Sequence, residues 1–362
     1  MISIQFFPLI LLICSLYIYA GNKYEKRLVL NIYIFISMIV FTFIFGVRVN
    51  FGTDQIVYQH MYEFQGVDLL RCEPIFVKLN QVLYKYGFST AFYFSTLSML
   101  EIFFIYFALK NEKIDFLIGF FIFYIIYIFY YVNISRQAIA MNICLCSIYY
   151  FSEKKYFKWF LFVLCASGFH IGALSLLVMI PLLSKVSRIK IPDFVYYILF
   201  ILAFLMFEKL YSIVLEGVLI PFNLLTNGRY KLLEKLLTYK LPLGSGLGIR
   251  LKILGYICMF PALLRESTIN QKNKLYFMIF CFGIFGELLA SLNMNLQRLF
   301  YFYSPIQIIL LSKVLIKIKK NNLIEFRNFI FCVGIFILIF LFFSNAMKGI
   351  NDTSYYKWCF DF

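Results

Sequence analysis

Asn133-Ile-Ser-Arg-Gln-Ala-Ile-Ala-Met-Asn142 opens an apolar run that ends at the basic break Ser152-Glu-Lys-Lys-Tyr-Phe-Lys-Trp159. Phe160 to Leu177 is apolar again, interrupted only around Gly168-Phe169-His170. About 30 residues lie between Lys155 and Lys185, which as one helix would measure about 45 Å against a hydrocarbon core of about 30 Å. Two short helices turning near Gly168-Phe169-His170 fit better, because lysines then mark both ends of the hairpin. Arg136 and His170 fall together on the face opposite those lysines. Ionisable groups at a membrane are costly enough to be functional candidates.

The whole chain shares this character. Of its 362 residues 62% are hydrophobic and 14% charged, against about 25% charged in an ordinary soluble domain, and the mean hydropathy is +0.83. The apolar runs are continuous rather than alternating, which excludes a β-barrel. The fold class is all-α, a polytopic integral membrane protein forming one domain over residues 1–362. The formal net charge of +16 is scattered between apolar runs in the positive-inside pattern, so nucleic acid is not an expected partner.

Counting runs outward from the basic breaks predicts about 12 transmembrane helices with both termini outside. The first is Ile2 to Ala20, followed by Lys23, Lys26 and Arg27. Two longer outer segments are expected, about residues 46–88 and 208–246, each with an interfacial helix. In the first, Pro74 suits a helix's first turn, and Ile75, Leu79, Val82 and Leu83 form an apolar stripe for the membrane surface. In the second, Thr226 or Asn227 can cap a helix whose Leu232, Leu233, Leu236 and Leu237 face the membrane. The most basic loop, Lys317 to Arg327, is placed inside.

Sorting polar residues by side collects Arg48, Asp54, His60, Glu73, Arg136, His170, Arg229 and Arg298 on the outer face. Arginines at span borders are often snorkelling anchors, yet four on the translocated side run against the positive-inside rule. Arginine makes bidentate contacts to phosphate, and a lipid-linked diphosphate sits at that depth. The charges cluster on this face rather than at mid-membrane. No Asp-x-Asp, phosphate-binding glycine loop, nucleophile elbow or zinc spacing is present, so no metal and no cofactor is expected. Seven of nine cysteines lie in apolar runs; Cys72 and Cys359 lie in polar outer segments, where an oxidising exterior permits a bridge, although two free thiols are expected.

The strings Ser135-Arg-Gln-Ala-Ile-Ala140 and Phe169-His-Ile-Gly-Ala-Leu174 resemble the EpsG family of bacterial polysaccharide polymerases, relatives in role of the Wzy O-antigen polymerases. Phe45-Gly-Val-Arg-Val-Asn-Phe-Gly-Thr-Asp54, Glu73-Pro-Ile-Phe76 and Gln297-Arg-Leu-Phe-Tyr-Phe302 resemble the same family, in outline across residues 40–310. Gln55 departs from it, standing where an aromatic residue is frequent. The resemblance implies a multi-pass protein of the bacterial cytoplasmic (inner) membrane with its active site on the outer face. It implies a metal-independent membrane glycosyltransferase that joins undecaprenyl-diphosphate-linked oligosaccharide repeats of O-antigen, capsule or exopolysaccharide. Flippase and chain-length regulator proteins are the partners implied, beside membrane lipid.

On that chemistry Arg136, Arg298, Arg48 and Arg229 can hold a diphosphate leaving group. Gln137, beside Arg136, is a further substrate-binding candidate. Asp54, Glu73 and His170 are candidates for the base on the acceptor hydroxyl, with His170 able instead to donate a hydrogen bond. The rivals are a lipid-linked oligosaccharide flippase or transporter, which predicts mid-membrane charges and related halves, an O-antigen ligase with the same donor, and a sugar-acetylating acyltransferase.

Overall fold

Long runs of phenylalanine, isoleucine and leucine leave a chain in lipid one local way to satisfy its backbone N–H and C=O groups, the α-helix. The computed structural model describes residues 27–49, 52, 54–131, 133–198, 201, 202, 205, 247–289, 294–320, 325–348 and 357–358. The expected first span, the second outer segment with Arg229, and Cys359 lie outside the described residues.

The described chain is helical. In order it forms α1 (Arg27–Gly46), β1 (Arg48–Val49), α2 (Gln55–Phe64), α3 (Val67–Leu70), α4 (Pro74–Lys85), α5 (Thr90–Asn111), α6 (Phe116–Tyr131), α7 (Ser135–Ser152) and α8 (Tyr156–Ser167). A 3-10 turn (Ile171–Ser175) leads into α9 (Leu176–Val186), and then follow α10 (Leu247–Ser267), α11 (Gln271–Leu289), α12 (Met294–Phe300), α13 (Ile306–Lys320), α14 (Phe326–Lys348) and β2 (Lys357–Trp358). Among the described residues three helices are long and apolar enough to cross a membrane: α5, α10 and the stretch Phe326–Asn345 of α14. Shorter apolar helices cover Ile32–Gly46, Phe116–Phe129, Tyr156–Ser167 and Ile171–Val186. The break read from the sequence is present, since α8 stops at Ser167 and a 3-10 turn follows His170.

The chain divides into two compact units. One comprises Met1–Leu177 with Leu311–Ile316 and Phe342–Phe362; the other comprises Val178–Leu310 with Lys317–Leu341. In the first, α5 packs on α1 and α7, and α7 also packs on α8. Helix α7 is its core. From Ser135 to Ile148 every residue except Arg136 is buried, the polar Gln137, Asn142 and Ser147 included. In the second unit α11 packs on α10 and α12.

Several polar contacts join segments that the sequence places on one side of the membrane. Glu112 meets Lys313 at 3.0 Å in the first unit. Arg265 meets Glu325 at 2.6 Å, and Lys317 meets Glu266, in the second. All of these are expected inside. The antiparallel pair Arg48↔Trp358 and Val49↔Lys357 joins two segments expected outside.

Helix α4 has Pro74 in its first turn, as expected, and the face it buries against the protein is largely distinct from the stripe read for the membrane surface. Phe76, Asn80 and Leu83 are buried, while Ile75 and Val82 are each 39% exposed. Two overlapping faces of this helix carry apolar residues, and the ring contact of Phe76 with Tyr58 at 5.9 Å goes with burial of the first.

Candidate functional site

The head of α7 collects the first unit's functional candidates. Arg136 Nη1 donates to Glu73 Oε2 at 2.7 Å, with the two side chains 25% and 14% exposed. Glu73 Oε1 accepts from Ile171 N at 2.8 Å. The carboxylate therefore ties the start of α4 to both α7 and the turn after α8. The Arg136 guanidinium also lies over the buried Phe76 ring, 5.6 Å from its centroid, a cation–π arrangement. Its Nε is buried without a hydrogen-bond partner.

Gly168 makes this convergence possible. Its carbonyl accepts from Ile75 N at 2.9 Å and Phe76 N at 3.1 Å, capping two first-turn donors of α4 that have no intrahelical acceptor. A Cβ on Gly168 would lie 2.4 Å from the Ile75 side chain, so only glycine allows the approach. His170 follows directly. Its Nδ1 accepts from Gly172 N at 3.2 Å, capping the 3-10 turn.

The remaining outer candidates border the same helix start. Asp54 N donates to Asn133 Oδ1 at 2.9 Å. Buried Arg48 donates from Nη2 to Ser135 Oγ at 3.4 Å and lies 5.4 Å from the Phe94 centroid. Gln55, the departure from the family pattern, is buried and donates to the Arg48 carbonyl at 2.7 Å; its work here is structural. Gln137 is buried in α7. Residues 48, 54, 73, 136, 137 and 170 are thus gathered, although they are spread over more than a hundred positions in sequence. Arg298 lies on α12 in the second unit, and Arg229 is outside the described residues.

Arg136 also lines a cleft of about 720 Å³ with Ile56, Val57, His60, Met61, Phe64, Gly66, Asp68, Leu69, Arg71 and Cys72. One wall is apolar, the exposed face of α2, and the His60 and Phe64 rings stack there at 5.3 Å. Asp68 and Arg71 are polar parts of the lining. The size suits a ligand-sized site with few polar groups. Burial pushes the Cys72 thiol up, Arg136 pulls it back down, and Glu73 and Asp68 push it further up. Among the described residues no cluster of three histidine, cysteine or acidic side chains could hold a metal.

Sequence reading missed charges inside the helices. Glu101, in α5, is buried beside Asn142, whose Nδ2 donates to the Glu101 carbonyl at 3.0 Å and whose Oδ1 accepts from Tyr131 at 2.7 Å. In the second unit Lys252 on α10 meets Glu287 on α11 at 2.8 Å. Glu101, at the middle of α5, therefore does not sit at a span border, contrary to the sequence reading. The signal was available, since each is a charge within an otherwise apolar run.

A protein-family model described as the EpsG family matches residues 31–358, nearly the whole chain. No curated protein and no solved structure matches it.

Proposed function

The chain belongs to the EpsG family, and on that premise we propose that it is a membrane polysaccharide polymerase acting at the outer face of the cytoplasmic membrane. Its substrates are undecaprenyl-diphosphate-linked oligosaccharide repeats. The growing chain passes from its lipid carrier to the non-reducing end of a fresh lipid-linked repeat. The observation that carries this reading is Arg136, the one residue left unburied along the core stretch of α7 and a lining residue of the cleft. Such an arginine supplies fixed positive charge where a diphosphate leaving group develops charge.

In the transfer, an acceptor hydroxyl attacks the anomeric carbon of the donor sugar. The new C–O bond forms as the bond to the diphosphate breaks, undecaprenyl diphosphate leaves with the electron pair, and the hydroxyl proton passes to a base. Both Glu73 oxygens are occupied, one by Arg136 and one by Ile171 N. Its work in the unloaded protein is to hold Arg136 until phosphate takes its place. A neutral histidine whose Nδ1 accepts a hydrogen bond carries its proton on Nε2, so His170 is a donor to phosphate or sugar. Asp54 is then the base. Arg298 is a further diphosphate-binding cation, and Arg48 and Gln137 support Arg136. Twelve spans with both termini outside accord with the side-by-side pairing of Glu112 with Lys313 and of Arg265 with Glu325.

The test replaces Arg136 in cells lacking the native gene and resolves surface polysaccharide on a gel. Arg136→Ala should leave the single-repeat product and abolish the ladder, and Arg136→Lys should rescue poorly because lysine lacks the bidentate fork. An intact ladder in Arg136→Ala, with the protein present in the membrane, would overturn the proposal. Loss of the single-repeat product as well would assign the protein to transport.

A further inference from the structure

The pair formed by Lys252 and Glu287 repeats, in the second unit, the construction found around Arg136 in the first. Lys252 Nζ donates to Glu287 Oε2 at 2.8 Å, with the side chains 25% and 5% exposed. In each unit a quarter-exposed cation is held by one oxygen of a more deeply buried carboxylate. In each the other oxygen is occupied by an unrelated donor: Ile171 N for Glu73, and Ser304 Oγ for Glu287. The carboxylate is thus held by a second donor while a quarter of the cation stays exposed.

Both residues lie toward the helix ends that the sequence places at the outer face, Lys252 in the second turn of α10 and Glu287 in the last turn of α11. Tyr256 supports the lysine, its ring centroid 6.0 Å from Nζ, and is itself fixed by its hydroxyl's hydrogen bond to Gln307 at 2.9 Å. Helix α12, which carries Arg298, sits against the same α11: a Cβ on Gly286 would collide with the Phe300 ring, at 1.8 Å from Cδ1. An ion pair inside apolar helices is expensive, and well-packed apolar side chains hold helices together as well or better. Helix packing alone therefore gives no reason for this pair.

We infer that Lys252 is a second diphosphate-binding cation, holding the other lipid-linked substrate. The inference rests on the polymerase reading, whose chemistry requires two undecaprenyl diphosphate groups, one on the donor and one on the acceptor, bound at once. Lysine binds phosphate as a point charge. Phosphate oxygens replace Glu287 as its partner, as they replace Glu73 at Arg136.

Native mass spectrometry of the full-length protein, released from detergent with added undecaprenyl diphosphate, counts the bound lipid. The wild type should carry two molecules, Lys252→Ala one, Arg136→Ala one, and the double variant none. Lys252→Ala leaves Glu287 without its cation and can harm folding, so Lys252→Met with Glu287→Gln, neutral at both positions, is measured beside it and should also carry one. Glu287→Gln alone keeps the lysine and should carry two. Two molecules on the neutral pair variant, or one on the wild type that only Arg136→Ala removes, would make Lys252 a helix-packing residue and overturn the inference with the polymerase reading intact. No bound undecaprenyl diphosphate on the wild type would overturn the polymerase reading itself.

Discussion

Glu73→Ala removes two contacts in one step, and their sizes can be worked from the geometry. Arg136 loses a carboxylate at 2.7 Å and Ile171 N loses its acceptor at 2.8 Å. A hydrogen bond to a charged group contributes about 1.5–3 kcal/mol; both bonds of Glu73 are of that kind, and because Ile171 is exposed, water can replace the carboxylate at its N–H, which keeps both near the low end. Exposures of 25% and 14% let water reach both side chains, which keeps the pair below the about 3–5 kcal/mol of severing a fully buried one. The expected loss is about 3 kcal/mol for Glu73→Ala. For Glu73→Gln, which keeps an acceptor for Ile171 N, it is about half that. At about 2 °C per kcal/mol for a large domain, the midpoint for heat loss of monodisperse protein in detergent should fall by about 6 °C and about 3 °C respectively. Arg136→Met combined with Glu73→Ala should fall by less than the two single changes summed, because no stranded guanidinium remains. Equal losses for the glutamine and alanine variants, or strict additivity in the double, would refute this account of Glu73.

Three further outcomes follow from the same geometry. With Cys72 as the only cysteine, burial keeps its thiolate scarce near neutral pH, so maleimide labelling should accelerate as pH rises. Glu73→Gln removes a charge that raises the thiol and should move the curve to lower pH, and Arg136→Ala removes one that lowers it and should move the curve higher; coincident curves would show that Cys72 does not feel the pair. His170→Asn keeps a side-chain acceptor for Gly172 N but has no donor at the reach of Nε2, so protein amounts should hold while the polysaccharide ladder is lost; a full ladder would assign His170 to the turn alone. Reporter fusions after Lys155 and after Ser344 should report opposite sides of the membrane, and same-side signals would overturn the arrangement of spans.

Hydropathy and helical period are local properties, and what depends on them was readable from the chain alone. The all-helical class, the break at Gly168-Phe169-His170, Pro74 in the first turn of α4, and the strings at Ser135 and Phe169 that point to the family needed no knowledge of distant residues. Of the polar residues named at outer borders, Arg136, Glu73 and His170 lie about one turn. Their division of labour was not readable. Glu73 and Arg136 are 63 positions apart, and only the packing of α4 against the turn after α8 decides that both carboxylate oxygens are already taken. The face that α4 buries was likewise settled by its neighbours, because overlapping apolar stripes on one helix are equivalent until Phe76 meets Tyr58. Glu101, Lys252 and Glu287 stand out in sequence as charges within apolar runs, but what each one touches is set by other helices. The partner of Lys252 comes from another helix, 35 positions away, and only the folded chain sets the two at hydrogen-bonding distance.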